Sequence, residues 1–454
     1  MITRTESDSL GSVDIPDGAL WGIHTQRAIN NFRISGTPVG THRALVKALG
    51  TVKAAAALTN RDLGLIPREV GDAIVAASRD VINGELDDQF VVDVIQGGAG
   101  TSVNLNANEV IANRALTLLG HDLGRYDIIH PIEHVNLCQS TNDVYPTAIR
   151  IAVVFALHPL LDALRHLESA FAERGAAFAD VPKLGRTQLQ DAVPMTLGQE
   201  FTAFAVTIRE DQERLIDAAR LLLECSIGAT AIGTGVTATP EYREQILGRL
   251  ISVANLDLTP AGDLIEATWD TGAFVQFSGV LKRVATKLSK ISSDLRLLAS
   301  GPETGFAEIT LPARQAGSSI MPGKVNPVIP EVMNQIAFFA FGADLTVTFA
   351  AEHGQLQLNA FEPAIAHAIL QSMTWVGNGA STLAALCVEG IEVGPALVAR
   401  RTSNSAQATA LVPLLGYSRA STLAAEARVS GEDVISLAIR HGLIDVEQAQ
   451  QLAG

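Results

Sequence analysis

The 454-residue chain is poor in the features that would tie it to a membrane, a nucleic acid or an oxidising compartment. Cysteine occurs three times, as Cys138, Cys225 and Cys387. An odd number of thiols so far apart fits neither a disulfide framework nor zinc-ligand spacing, so a reducing cytoplasm is the expected location. Basic residues are the minority: 33 Lys and Arg stand against 48 Asp and Glu, a formal charge of -15. A field of that sign repels polyanions and argues against nucleic acid and anionic membrane as partners. The opening MITRTESDSLGSVDIPDG is polar and turn-rich, without the apolar run of a secretory signal. Further on, no charge-free stretch reaches the roughly 18 residues of a membrane span; the richest, Ile336 to Ala351, is interrupted by Asp344. Internal repeats, low-complexity segments and heptad arrays are also lacking.

Apolar side chains make up 47% of the residues and charged ones 18%, enough for a large core spread over two or three regions. Helical periodicity is sustained over 146–178, 196–227, 271–300, 328–353 and 361–390. Helices of that size run about 45 Å at 1.5 Å per residue, so they must pack along their length against one another. The expectation is an all-α chain in three regions: a mostly helical segment over 1–140, a long five-helix bundle over 141–393 and a small helical tail over 394–454. Apolar residues cover more than one face of these helices, as in IPEVMNQIAFFAFGADLTVTFAAE, which exceeds what a monomeric bundle needs and implies subunit contacts.

The polar residues with chemical potential lie in the connectors. Gln315-Ala-Gly-Ser-Ser-Ile-Met-Pro-Gly-Lys-Val-Asn-Pro327, in the loop 314–327, offers two hydroxyls, one cation and one amide between flexible glycines, a set suited to a carboxylate; the plainer explanation is a solvated turn that caps the next helix. Gln96-Gly-Gly-Ala-Gly-Thr-Ser102 is Gly-rich but lacks the Gly-Lys-Ser/Thr ending of a nucleotide-binding loop. Gln139-Ser-Thr-Asn-Asp143 opens the first long helix, where free backbone N–H groups favour anions, and serves equally as an ordinary cap. Gly185-Arg-Thr-Gln-Leu-Gln-Asp191 is a third polar turn. His130 and His134 have helical spacing in a Pro-containing connector without a further ligand, so a metal is not expected there. His158, His166 and His367 are read as surface or subunit-contact residues. No Gly-x-Ser-x-Gly elbow marks an acylated nucleophile, and a covalent hydrolase stays open as a second mechanistic class.

Taken together, these segments resemble the fumarase/aspartase superfamily, most closely its aspartate ammonia-lyases. GSSIMPGKVNPVIPEVMNQ resembles the superfamily's signature, and QGGAGTSVNLNANEVIAN, HVNLCQSTNDVYPT, KLGRTQLQDAVPMTLGQEF and GQLQLNAFEP are similar to aspartase segments in the same order. The resemblance implies a homotetramer with a twenty-helix core and active sites each shared by three subunits. It implies Ser318 as the base, and Thr101, Ser140, Thr141, Asn142, Thr187, Ser319, Lys324 and Asn326 as residues holding a dicarboxylate, with Gln188 among them. No metal or other cofactor is implied.

The implied chemistry is abstraction of a Cβ proton from an aspartate-like four-carbon dicarboxylate. Such a proton is barely acidic, so its removal requires a desolvated base and donors for the charge that builds on the adjacent carboxylate. A serine alkoxide supplies the base only if its loop contributes N–H groups and the charge of Lys324. Gln188 stands where fumarases carry a histidine, which favours deamination of aspartate to fumarate and ammonia over fumarate hydration. Leu137 stands in place of a common Lys, Thr237 in place of a usual Asn, and Val412-Pro-Leu-Leu-Gly-Tyr-Ser418 departs from the aspartase pattern. Those departures keep open a C–N lyase or epimerase acting on an N-substituted aspartate such as iminodisuccinate. An inactive structural homologue is the reading from another class.

Overall fold

A computed structural model describes residues 2–399 and 404–453. The chain opens with a hairpin of β1 (Thr3–Asp8) and β2 (Gly11–Pro16), followed by α1 (Ile23–Asn31), α2 (Arg43–Asp62), α3 (Arg68–Asn83) and α4 (Thr101–Leu118). The long helix α5 (Thr141–Ala177) leads into a second hairpin, β3 (Pro182–Thr187) and β4 (Gln190–Thr196), and then α6 (Leu197–Ala219). Short strands β5 (Glu224–Cys225) and β6 (Thr259–Pro260) flank α7 (Pro240–Ala254), and the single turn α8 (Glu266–Trp269) precedes α9 (Gly272–Leu298). After β7 (Ile309–Thr310) come α10 (Val328–Glu352) and α11 (Glu362–Leu386), then β8 (Glu392–Val393), which pairs with β7. The tail holds α12 (Pro395–Ala399), α13 (Asn404–Leu415), α14 (Tyr417–Ser430), α15 (Val434–Arg440) and α16 (Val446–Ala453).

The chain is all-α in class, and the five expected long helices are α5, α6, α9, α10 and α11. Side chains link them in a ring. Phe171 of α5 stacks edge-on to Phe204 of α6 at 5.5 Å between centroids. Arg283 of α9 pairs with Asp211 of α6 at 3.0 Å, and Ser278 of α9 donates to Asp344 of α10 at 2.9 Å. Phe339 of α10 meets Trp375 of α11 edge-on at 5.2 Å, and Gly377 of α11 lies against Leu160 of α5. A side chain as large as Phe171 contributes about 1.5–3 kcal/mol on full burial.

Cα packing groups residues 1–163, 211–286 and 335–378 into one compact unit, and 164–210, 287–334 and 379–454 into a second. The core of the first includes Leu45, Leu49 and Val52 on α2, Val103 and Ile111 on α4, and Val144 and Ile149 on α5, all essentially inaccessible. The second contains a satellite core in the tail, where Leu411, Leu423, Val434 and Leu437 pack together.

Helix α5 starts at Thr141, five residues ahead of the apolar periodicity, and runs through Pro146 and Pro159. The two hairpins escape a periodicity reading because their strands are polar and mostly exposed. By length and composition α5 and α10 are apolar enough to cross a membrane. Most of the apolar stretch of α5 is buried within the protein, whereas α10 exposes Phe338, Phe339, Leu345 and Phe349.

Candidate active site

In the first unit, the N-termini of α4 and α5 come together. Gly100 caps α4 with φ 83°, a left-handed conformation natural to glycine, and a Cβ there would collide with the Tyr145 ring of α5. Asn104, one turn beyond the exposed Thr101, donates to Thr141 Oγ1 at 3.0 Å. Ser140 Oγ accepts from the Asn142 backbone N–H at 3.2 Å, while Asp143 Oδ1 accepts from the Ser140 N–H at 3.0 Å, a reciprocal capping box. Asn142 Nδ2 donates to the Ala231 carbonyl at 2.7 Å. Thr101, Ser140, Thr141 and Asn142 thus surround two helix N-termini, whose free N–H groups and dipoles favour an anion. Because the Ser140 and Thr141 oxygens already accept bonds, their hydroxyl hydrogens are free to point at a ligand.

A buried polar network supports this surface from beneath. Lys53, fully buried on α2, donates to Asn136 Oδ1 and Gln139 Oε1, each at 2.9 Å. Asn136 Oδ1 also accepts from Asn104 at 3.1 Å and Asn108 at 3.2 Å. Gln139 donates to the carbonyls of Val135 and Leu137. Asp143 Oδ2 accepts from the N–H groups of Gly228 and Thr230, each at 3.0 Å. Burial pushes the Asp143 carboxyl up to about 6 against these donors, and burial pulls Lys53 down to about 7 against the attraction of Asp143.

In the second unit, Thr187 and Gln188 occupy the tip of the β3–β4 hairpin, where both are exposed. Gln188 (φ 54°) and Leu189 (φ 61°) are the two central turn residues, both left-handed, in a turn where Asn-Gly is the unstrained choice. The hairpin is anchored by a buried ion cluster: Lys183 meets Glu308 at 3.0 Å and Arg186 donates to its other oxygen. Burial pushes the Glu308 carboxyl up, but Arg186 and Lys183 outweigh it and hold the group below its usual range.

The signature loop is in the same unit and is pinned across its own base. The Gly317 N–H donates to the Lys324 carbonyl at 2.7 Å, and Asn326 Nδ2 donates to the Gly317 carbonyl at 2.8 Å. This closure presents Ser318, half-buried, with Oγ accepting from the N–H groups of Ile320 at 3.2 Å and Met321 at 3.0 Å. Two donors on one serine oxygen stabilise its anion over its neutral form. Ser319 and Lys324 are exposed beside it, and Asn326 is half-buried.

A family model described as a lyase matches residues 11–342. The aspartate ammonia-lyase of Pseudomonas fluorescens is 53% identical over 97% of this chain and 93% of its own length. That of Escherichia coli is 48% identical over 97% and 93%, respectively. This chain belongs to that lyase family. Among solved structures, the lyase is similar to the fumarate lyase:delta crystallin from Brucella melitensis bound to cobalt, at 54% identity and a TM-score of 0.95, with 100% of this chain and 98% of that one covered. The class II fumarase of Schistosoma mansoni has a TM-score of 0.93 at 31% identity, over 100% of this chain and 98% of that one.

His158 is exposed on α5, and several other histidines have partners of their own. His130 Nδ1 accepts from the N–H groups of Ile132 and Glu133 in a turn of π-helix, and His134 Nδ1 accepts from the His130 N–H. Among the described residues, no group of three or more His, Cys, Asp or Glu is arranged to hold a metal. His166 pairs with Glu389, and His367 bonds His42 at 2.8 Å. Lys53, Asn104, Asn136 and Glu308 join these sites without having stood out as candidates in the sequence. A signal for Lys53 was available in TVKAAAALTN, a lone cation in an otherwise apolar helical run.

Proposed function

We propose that this lyase reversibly deaminates L-aspartate to fumarate and ammonia, with Ser318 as the base. The observation that carries the reading is the pair of backbone N–H groups on Ser318 Oγ, which prepares that oxygen to bear negative charge. The alkoxide takes the proton from Cβ, and the electron pair moves into the adjacent carboxylate as an aci-carboxylate. The C–N bond then breaks, ammonia leaves from the neighbouring carbon, and the Cα–Cβ double bond forms. Ser140, Thr141, Asn142 and Thr101 offer hydroxyls, an amide and two helix N-termini to a carboxylate, while Ser319, Lys324 and Asn326 serve the other end of the substrate beside the base. Gln188 and Thr187 face the amino group from the hairpin tip. The scheme uses no metal or cofactor. The relatives named as aspartate ammonia-lyases over nearly the full chain support the same reaction.

The reading includes a cytoplasmic homotetramer organised as an N-terminal region over 1–140, the bundle over 141–393 and a tail over 394–454, without nucleic acid or membrane as partners. The exposed Phe338, Phe339, Leu345 and Phe349 of α10 support burial of that face against further copies of the bundle, in an assembly whose sites are shared by three subunits. The deciding experiment follows purified protein with L-aspartate, by absorbance in the fumarate band and by NMR of Cβ proton exchange in heavy water. Growth of fumarate with exchange at Cβ is expected. Exchange on N-substituted aspartates with none on aspartate would move the reaction to that substrate class, and the absence of both signals would overturn the reading.

A further inference from the structure

Lys53 is the only member of the network beneath the α4 and α5 N-termini that carries a positive charge, and nothing in the proposed reaction uses it. Its ammonium has no access to solvent, makes no ion pair within 4 Å among the described residues, and is held by two amide oxygens at 2.9 Å. A buried ammonium is costly unless something nearby benefits from its charge. Its two partners are the side chains of the turn that ends in Ser140, Thr141 and Asn142. Asn136 Oδ1 collects Lys53 together with Asn104, and Asn104 reaches on to Thr141 Oγ1. A chain of hydrogen bonds therefore runs from the ammonium to a hydroxyl at the anion-binding surface, and the overall charge of -15 leaves that surface in need of a local cation.

We infer that Lys53 is a positioning residue for the carboxylate end of the substrate: it locks the 136–142 turn and places a positive charge directly below it. The inference rests on the dicarboxylate reading of the site. The charged and titratable groups facing the same turn are Asp143 from α5, Cys138 within the turn and Tyr242 from α7. Cys138 and Tyr242 are pushed upward by burial, so they stay neutral near neutral pH. Burial holds the ammonium down to about 7, and a bound dianion must pull it back up, so binding above that pH draws in a proton.

The test uses succinate and the full-length protein. Calorimetric titration at pH 7.5–8 in buffers of different ionisation enthalpy is expected to show uptake of a fraction of a proton on binding. K53M is expected to bind at least tenfold more weakly and to lose most of that uptake. N108A removes a comparable bond to Asn136 but keeps the ammonium, and it is expected to stay within threefold of the parent. Equal losses in K53M and N108A would overturn the inference in favour of a merely structural network. Binding by the parent without proton uptake would overturn it even if K53M failed to fold. A parent protein that binds no succinate would overturn the carboxylate site, and the role of Lys53 with it.

Discussion

Asn104 and Thr141 join the first turns of two helices through a single 3.0 Å bond from amide to hydroxyl. Because the amide donates, the Thr141 oxygen is the acceptor and its hydrogen is directed away, toward whatever occupies the space before the α5 N-terminus. Asn104→Ala removes this bond and the one to Asn136. Destabilisation of about 1–3 kcal/mol is expected for these buried partners, with KM for aspartate rising more than kcat falls. Chemical denaturation and steady-state kinetics measure the two effects, and an unchanged KM would remove Thr141 from the proposed carboxylate site.

Ser318→Ala deletes the oxygen that the Ile320 and Met321 N–H groups serve, but those groups face solvent in an exposed loop and lose little by it. The thermal midpoint and oligomeric state are therefore expected to match the parent, while kcat falls by about 10²–10⁴ or more, the scale of a lost base. Residual activity within tenfold of the parent would reassign the proton abstraction.

The long helices were legible because a period of 3.6 residues over some thirty positions has few competing explanations: α5, α9, α10 and α11 fall where periodicity places them to within a few residues, whereas α6 stops at Ala219, short of the expected 227, and gives way to a 3-10 turn over Arg220–Leu223 and to β5. The site was legible as motifs but not as mechanism. Ser318 could be named from its neighbours, yet the two N–H donors on its oxygen follow from backbone angles that no residue type specifies. Likewise Gln139 and Asp143 were visible in QSTND, but their partners Lys53, Gly228 and Thr230 lie 85 to 87 residues away in sequence. The separations are 86, 85 and 87, and tertiary pairing at that range leaves no local signature. The hairpins were illegible for the opposite reason, since their polar, exposed strands resemble loops.

The tip of the second hairpin carries backbone strain at a proposed binding position. Gln188 and Leu189 both adopt left-handed angles without being glycine or asparagine, at a cost of about 1–2 kcal/mol each. Leu189→Gly is expected to stabilise the protein by about 0.5–1 kcal/mol, less than the relieved strain because glycine gains freedom in the unfolded chain. Gln188→Asn relieves strain too but shortens the amide by one methylene, so stability should rise while aspartate affinity falls. Parallel melting curves and KM values separate the two; a Gln188→Asn variant with unchanged KM would show that the amide does not reach the substrate.

Glu308 ties the base of that hairpin to the acid limit of the fold. Burial opposes its charge, but Arg186 and Lys183 win and its carboxyl is held below the ordinary value. A depressed carboxyl stabilises the fold at pH values above its unfolded range; that contribution is lost as pH falls through the lowered folded value, when the native state must take up a proton. Glu308→Gln should therefore reduce stability at pH 7 and flatten the loss of stability below about pH 4.5. Arg186→Met should cost more, about 3–5 kcal/mol, by stranding a buried carboxylate with one partner fewer. Combining Arg186→Met with Glu308→Leu should then cost less than Arg186→Met alone, since the buried carboxylate is gone and Lys183, which loses Glu308, keeps Glu200 at 2.5 Å. Urea denaturation at pH 7 and pH 4 measures these proteins together with the single variant Glu308→Leu, and additive losses in the double variant would show that Arg186 stabilises the hairpin by its stacking over Phe306, 4.4 Å from the ring centroid, rather than by its charge.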